Sequence, residues 1–115
     1  MKVLVCGGRN YYNYRKVLEV LSVLPKDTII IEGGAGGADY FAKRAAEKLG
    51  LKVREYRANW KVHGKAAGPI RNRVMLDEEN PDVVFAFHSN PSKSKGTKDM
   101  IGIATMRGIV VKRFL

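Results

Sequence analysis

The sequence predicts an α/β fold: a Rossmann-like three-layer sandwich around a five-stranded, mainly parallel sheet. Short apolar runs alternate along the chain with longer segments in which apolar residues recur at helical spacing. Uninterrupted apolar runs are typical of strands buried on both faces. The repeated β-α order favours a doubly wound sheet with right-handed crossovers over an antiparallel sandwich.

Five apolar runs are predicted strands, at residues 3–6, 28–31, 51–53, 83–87 and 109–111. Two stripes at helical spacing separate the first three strands and are expected to face the core. The first stripe comprises Tyr14, Val17, Leu18, Leu21 and Leu24, and the second comprises Ala38, Phe41, Ala42, Ala45 and Leu49.

Glycine and proline predict where the remaining helices begin and end. Gly50 and Gly108 are typical residues after a helix C-terminus. Pro69 suits the first turn of a third helix, which would carry Ile70, Val74 and Leu76 and end at Asn80-Pro81. The last helix is expected to begin near Gly96 or Thr97, after a polar, basic loop at 89–96.

Length and composition indicate one domain over residues 1–115. With 45% hydrophobic residues the chain can bury a core without disulfides or metal. A single Cys6 cannot form an internal disulfide, and no His or Cys spacing predicts a metal site. No secretory signal and no membrane-spanning run is evident, so we expect a soluble, cytoplasmic protein with no membrane partner.

The formal charge of +10 predicts a field that attracts phosphates, on a mononucleotide, a polynucleotide or an anionic surface. Charge alone does not choose among them, and it also suits an ordinary solvated basic surface.

Glycine-rich segments follow three of the predicted strands. They are Gly7-Gly8-Arg9, Gly33-Gly34-Ala35-Gly36-Gly37-Ala38-Asp39, and the segment that ends in Gly96-Thr97. Glycine lets phosphate oxygens approach main-chain amides, and a following helix adds free N–H groups. These junctions are therefore predicted to bind a phosphate, although a tight turn with Asp39 as a first-turn acid is the alternative. Neither a P-loop nor a complete dinucleotide fingerprint is present, so no cofactor is predicted.

Several side chains are candidate ligand contacts. Arg9 and Arg71 offer paired guanidinium donors for a phosphate, and Asn72 could recognise a sugar or a base edge. Trp60 could stack on a base or pack in the core. His63 and His88 accompany no nucleophile pattern, and Cys6 is expected to be a small core residue.

Taken together, these segments and Gly64-Lys65-Ala66-Ala67-Gly68-Pro69-Ile70-Arg71-Asn72 resemble the YspA-like, cpYpsA-related branch of the SLOG superfamily. The superfamily also contains the LOG nucleoside-monophosphate phosphoribohydrolases and the single-strand DNA-binding DprA proteins. The resemblance implies a Rossmann-like fold, a nucleotide-related ligand and self-association as a homo-oligomer. It also implies a pocket surrounded by Gly8, Arg9, Gly34, Gly36, Asp39, Arg71, Asn72, Gly96 and Thr97.

The chain departs from the LOG enzymes at two motifs. Asn72 replaces the lysine of their Arg-Lys-x-x-Met helix, and Met100 stands where their Pro-Gly-Gly-x-Gly-Thr-x-x-Glu motif has its acid. Asp99 is adjacent but would point about 100° around the helix. Lys93 and Lys95 could replace part of the lost glycine cradle through their charge.

The leading hypothesis is a protein that binds a nucleotide or a nucleotide-derived phosphate ligand, as a sensor or as an N-glycosidic hydrolase. The predicted ligand-binding residues are Gly7, Gly8, Arg9, Gly33, Gly34, Gly36, Gly37, Asp39, Trp60, Arg71, Asn72, Gly96 and Thr97. In the enzymatic version Arg71 binds phosphate while Asp39 or Asp99 contacts ribose or water. The alternative is a DprA-like binder of single-stranded nucleic acid through the basic segment 93–98.

Overall fold

Strands and helices alternate through the computed structural model, which describes residues 1–88 and 94–115. The strands are β1 (Lys2–Gly7), β2 (Ile29–Glu32), β3 (Lys52–Glu55), β4 (Val83–Phe87) and β5 (Val110–Phe114). The helices are α1 (Tyr14–Ser22), α2 (Ala38–Leu49), α3 (Trp60–His63), α4 (Ala67–Glu79) and α5 (Lys95–Met106). A 3-10 turn, Gly64–Ala66, joins α3 to α4.

The five strands form one parallel sheet in the order β3-β2-β1-β4-β5. Leu4 of β1 pairs with Ile31 of β2 on one side and with Val84 of β4 on the other. Strands β2 and β3 therefore lie on one side of β1, and strands β4 and β5, which come later in the chain, lie on its other side. The predicted Rossmann-like α/β class is confirmed, and the strand order reverses between β1 and β4.

Alternating side chains of the strands divide the core into two layers. Helices α1 and α2 cover one face, where Val17 and Ala42 pack with Val5 and Phe87. Helices α4 and α5 cover the other face, where Leu76 and Met100 pack with Leu4, Val84 and their neighbours. Both predicted apolar stripes lie on the first of these faces, as expected from their spacing.

The helix ends agree with the glycine and proline pattern, and the buried face of α4 is partly polar. Gly50 and Asn80 adopt left-handed conformations at the ends of α2 and α4. Ile70 and Val74 are 39% and 38% exposed, whereas Met75 is buried. The apolar residues of α4 do not form one stripe, because its buried face also carries Asn72 and Glu79 and meets polar groups as well as the sheet.

Glu79 ties the end of α4 to the sheet. Its buried carboxylate accepts hydrogen bonds from Arg54 (2.7 Å) and from the Tyr56 hydroxyl (2.6 Å), and Lys2 lies 3.3 Å away. Burial alone would raise the pKa of Glu79, but these partners hold that pKa below its usual value. The network is structural, since it lies away from the carboxyl ends of β1 and β4.

No helix within 1–88 or 94–115 is long and apolar enough to cross a membrane. Across the same residues, no group of three or more His, Cys, Asp or Glu side chains is placed to hold a metal ion.

Candidate functional site

A cleft of about 720 Å³ opens at the carboxyl ends of β1 and β4, where the strand order reverses. Ligands of open α/β sheets bind at this kind of switch point. The walls come from the β1–α1 loop, the start of α2, one side of α4 and the first turn of α5. The lining residues include Cys6, Gly7, Gly8, Arg9, Tyr11, Gly33, Ala35, Asp39, Trp60, Lys65, Arg71, Asn72, Met75, His88, Ser94, Lys95, Gly96 and Thr97.

The first two glycine segments lie against each other at this cleft. The amide of Ala38, at the start of α2, donates to the Gly8 carbonyl at 3.2 Å. Gly37 has a φ of 67°, and a Cβ there would overlap the main chain of Gly8 and Arg9. Gly37 therefore lets two β-α junctions touch, which is a packing role rather than a ligand contact.

Two carboxylates occupy amides of the second glycine segment. The Gly34 amide donates to Glu32 Oε1 at 2.6 Å, and the Ala35 amide donates to Asp39 Oδ2 at 3.2 Å. Both side chains are almost fully buried. Contrary to the predicted phosphate cradle, these two amides are not free for a phosphate, because carboxyl oxygens of Glu32 and Asp39 already accept their hydrogen bonds.

Burial shifts the titration of both carboxyl groups. It raises the pKa of Glu32 to about 7, against the lowering effect of the Gly34 amide. It raises the pKa of Asp39 to about 6, against the Ala35 amide and the charge of Arg71. Amides of the second glycine segment are thus hydrogen-bonded to two carboxyl groups whose pKa values are raised to about 7 and about 6.

Arg71 reaches from α4 across the cleft to the end of β2. Its guanidinium donates to the Gly33 carbonyl through Nη1 and to Asn72 Oδ1 through Nε at 3.0 Å. Partial burial lowers the pKa of Arg71, while Asp39 opposes that shift. The side chain remains a cation whose remaining donors can serve a ligand.

Asn72 is buried and connects α4 to α5. Its Nδ2 donates to the Gly96 carbonyl at 3.2 Å and to Asp99 Oδ2 at 3.0 Å. The Asp99 carboxylate does not line the cleft, so the structure does not support its predicted contact with ribose or water. Because the Asp99 carboxylate accepts a hydrogen bond from Asn72, it positions the Asn72 side chain.

Trp60 lies at the rim of the cleft with 48% of its surface exposed. The core-packing alternative for this residue was wrong. The Arg9 guanidinium stands over the indole, 5.3 Å from the ring centre. An exposed aromatic face beside cations is a suitable platform for a nucleobase.

The first turn of α5 closes the cleft opposite α4. Ser94 is the N-cap residue, and its hydroxyl accepts from the Thr97 amide at 3.4 Å. The amino end of a helix carries a partial positive charge that favours anions. Lys95 in this turn and Lys65 before α4 add two charges to those of Arg9 and Arg71.

Two polar or reactive side chains lie in the floor of the cleft. Cys6 is buried, and burial together with Asp39 raises the pKa of its thiol far above the usual value. This agrees with the expected core role of Cys6 rather than a nucleophile. His88 is 5% exposed, and burial together with the charge of Arg113 lowers its pKa.

Most of the predicted site residues are brought together by the fold. Those that line the cleft are Gly7, Gly8, Arg9, Gly33, Asp39, Trp60, Arg71, Asn72, Gly96 and Thr97. Gly34 and Gly36 line an adjoining pocket of about 250 Å³ that shares Arg9, Trp60 and Arg71. Gly37 and Asp99 line neither. Lys93 and the rest of 89–93 lie outside the described residues.

Sequence reasoning passed over Glu32 as a candidate and gave His88 no role. Each is the first polar side chain at the carboxyl end of a buried apolar strand, Ile29–Glu32 and Val83–Phe87 respectively. That position is a usable signal, since strand ends of parallel sheets form the site in this class of fold.

Comparison with known proteins agrees with this architecture. A family model described as the YspA, cpYpsA-related SLOG family matches residues 1–63. The chain belongs to this family. The resemblance expected from the glycine segments and the Arg71 helix is therefore confirmed.

One relative of this SLOG family protein and one solved structure with a similar fold are informative. The gene 61 protein of Mycobacterium phage D29 is 33% identical, over 98% of this chain and 95% of the phage protein. The crystal structure of DNA processing protein A (DprA) from Streptococcus pneumoniae superposes with a TM-score of 0.62 and 19% identity. The superposition covers 96% of this chain but 58% of the DprA chain, and it establishes a shared fold.

Proposed function

We propose that this SLOG family protein binds a nucleotide or a nucleotide-derived phosphate ligand in the cleft between the ends of β1 and β4. The observation that best supports this proposal is the charge and shape of that cleft. Four cationic side chains, Arg9, Lys65, Arg71 and Lys95, line it, and Asp39 is the one acid among its described lining residues. The amide of Ala35 already bonds that acid.

The size of the cleft suits a small ligand. A volume of about 720 Å³ lies inside the range of roughly 300–1,000 Å³ typical of small-molecule sites. In this proposal, the amino end of α5 and Arg71 bind the phosphate of the ligand. Trp60 supplies a planar surface for the base, with Arg9 on the ring.

Calorimetry with nucleoside monophosphates, cyclic nucleotides and ADP-ribose tests the proposal. We expect at least one of them to bind, and the matching unphosphorylated nucleoside to bind at least about 10-fold more weakly, because a charged hydrogen bond is worth about 1.5–3 kcal/mol. Absence of heat and of a thermal shift with the whole panel would refute the proposal.

Product analysis separates a sensor from a hydrolase. In the enzymatic version, water replaces the base at the ribose anomeric carbon, releasing free base and ribose phosphate. Asp39 is the acid at the cleft that supports this version, and burial raises its pKa to about 6. Bound nucleotide that is recovered intact after prolonged incubation would favour a sensor.

Single-stranded nucleic acid is the second candidate ligand. The net charge of +10 and the fold shared with DprA, a DNA processing protein, support it. Anisotropy with a labelled oligonucleotide at two salt concentrations tests it, since phosphate contacts make affinity fall steeply with salt. Salt-insensitive or absent binding would argue against it, and competition by a mononucleotide would locate any binding at the cleft.

A homo-oligomer stays a prediction from the family resemblance. Light scattering on the purified protein measures the mass directly, and a monomeric mass across the working concentration range would contradict the prediction.

A further inference from the structure

His88 has an unusual environment for a buried polar side chain. It is 5% exposed and lines the cleft, yet neither ring nitrogen has a hydrogen-bond partner within the described part of the chain. Buried polar groups in proteins are nearly always hydrogen-bonded, and the exceptions call for an explanation such as a ligand. A neutral imidazole carries one donor and one acceptor nitrogen.

The sheet register places His88 at the floor of the cleft. Phe87 pairs with Gly7 on one side and Phe114 on the other, and the His88 amide donates to the Phe114 carbonyl at 3.0 Å. Because side chains alternate along a strand, His88 follows Val84 and Ala86 on the face covered by α4 and α5. The ring therefore lies on the same side of the sheet as the first turn of α5.

One charged side chain acts directly on His88, and others line the same cleft. Arg113 of β5 is close enough to lower the pKa of His88. Lys95 and the amino end of α5 line the cleft together with His88, as does Arg71 of α4. Cys6 of β1 and Tyr11 of the following loop lie at the same cleft, and their thiol and hydroxyl are neutral near pH 7.

Such surroundings favour one kind of partner for the imidazole. A cation is disfavoured beside Arg113 and the helix amino end. Asp39, the one acid among the described lining residues, already accepts a hydrogen bond from the Ala35 amide. An oxygen of an external anion can accept from the ring N–H and is attracted by the same positive groups.

We infer that His88 is a further binding residue of the cleft, whose imidazole donates a hydrogen bond to a phosphate oxygen of the ligand at the amino end of α5. This inference rests on the proposed nucleotide function and names a contact within it. A bound dianion beside the ring also favours the imidazolium, so the His88 titration midpoint moves to higher pH when the ligand binds.

The chain provides its own reference for an NMR test, since His63 and His88 are its two histidines. His63 is exposed on α3. Inorganic phosphate and the common nucleoside monophosphates are titrated into the full chain while the imidazole signals are followed, with His63→Gln assigning them. We expect the His88 signals to shift and its midpoint to rise, with those of His63 unchanged.

Affinity measurements complete the test. His88→Phe keeps a ring of similar size without a donor, and we expect it to weaken nucleoside monophosphate binding at least about 10-fold, as for a lost charged hydrogen bond. His63→Gln is the matched control and should bind like the unaltered protein. Binding of the unphosphorylated nucleoside should change much less.

The outcomes separate the two proposals. If nucleotides bind while the His88 signals stay unmoved, or if folded His88→Phe binds with full affinity, the His88 inference is wrong and the proposed function stands. If inorganic phosphate and every nucleotide fail to bind the unaltered chain, both are wrong. The NMR titration decides the question even if His88→Phe does not fold.

Discussion

The Arg71 guanidinium, on α4, donates a hydrogen bond to the main-chain carbonyl of Gly33 at the end of β2. A Cβ at Gly33 would overlap that guanidinium. The absence of a side chain at Gly33 therefore makes room for an arginine from another layer of the fold. This relationship explains one glycine of the second segment without any ligand.

Gly33→Ala should consequently displace Arg71. We expect a loss of about 1 kcal/mol in the free energy of unfolding, because the guanidinium must move and give up its hydrogen bond to the Gly33 carbonyl. Nucleotide affinity should fall as well. Urea denaturation and calorimetry measure the two effects. Gly102→Ala on α5 is the matched control, because its Cβ meets nothing within 4 Å, and it should stabilise by about 0.5–1 kcal/mol. Wild-type stability in Gly33→Ala would contradict the packing argument.

Arg71→Lys retains the charge but loses the planar fork that serves Gly33 and Asn72 together. We expect at least a roughly 10-fold weaker nucleotide affinity, because a charged bidentate contact is replaced by a point charge. Arg73→Lys, on the exposed side of the same helix, should bind normally. Calorimetry checks affinity and circular dichroism checks folding. Equal affinity in both variants would remove Arg71 from the proposed site.

Trp60 is the single tryptophan and is about half exposed at the cleft, so it is an intrinsic reporter. We expect nucleotide binding to change its fluorescence. Trp60→Leu should weaken nucleotide binding by about 1–3 kcal/mol, the usual worth of base–aromatic stacking, and leave inorganic phosphate binding unchanged. Equal losses for both ligands would indicate a general disturbance of the cleft instead of a base platform.

The buried carboxyl groups predict how stability changes with pH. The pKa of Glu32 is raised from 4.5 to about 7, so the folded protein holds a proton there that the unfolded chain releases. The contribution of Glu32 to stability is therefore fully present below about pH 4.5 and is lost as the pH rises through about 7. Asp39 changes stability in the same direction, because its pKa is raised from 3.8 to about 6.

Glu32→Gln tests this linkage. A neutral amide can still accept from the Gly34 amide and carries no charge. We expect the variant to gain stability relative to the unaltered chain as pH rises from 4.5 to 7, by roughly 3 kcal/mol at most. Urea denaturation at several pH values measures the difference. A constant difference across that range would show that Glu32 titrates normally.

Much of the fold follows from local patterns. Buried strands such as Val83–Phe87 are uninterrupted apolar runs, and α2 shows both a helical stripe and a terminal Gly50. Pro69 and Asn80-Pro81 predicted the bounds of α4, but no sequence pattern predicted its buried face, which carries Asn72 and Glu79. Those polar side chains are buried only because partners on other elements satisfy them, and periodicity contains no information about such partners.

The site, like the fold, was only partly predictable from local sequence patterns. By itself, the sequence determined the α/β class, the glycine segments at strand ends and the candidate arginines Arg9 and Arg71, since these depend on local propensity and charge. Only the tertiary structure decided that Glu32 and Asp39 occupy the amides of the second segment, that Asp99 holds Asn72, and that His88 lies in the floor. These are contacts between residues distant in sequence, and their geometry arises only when the layers pack together.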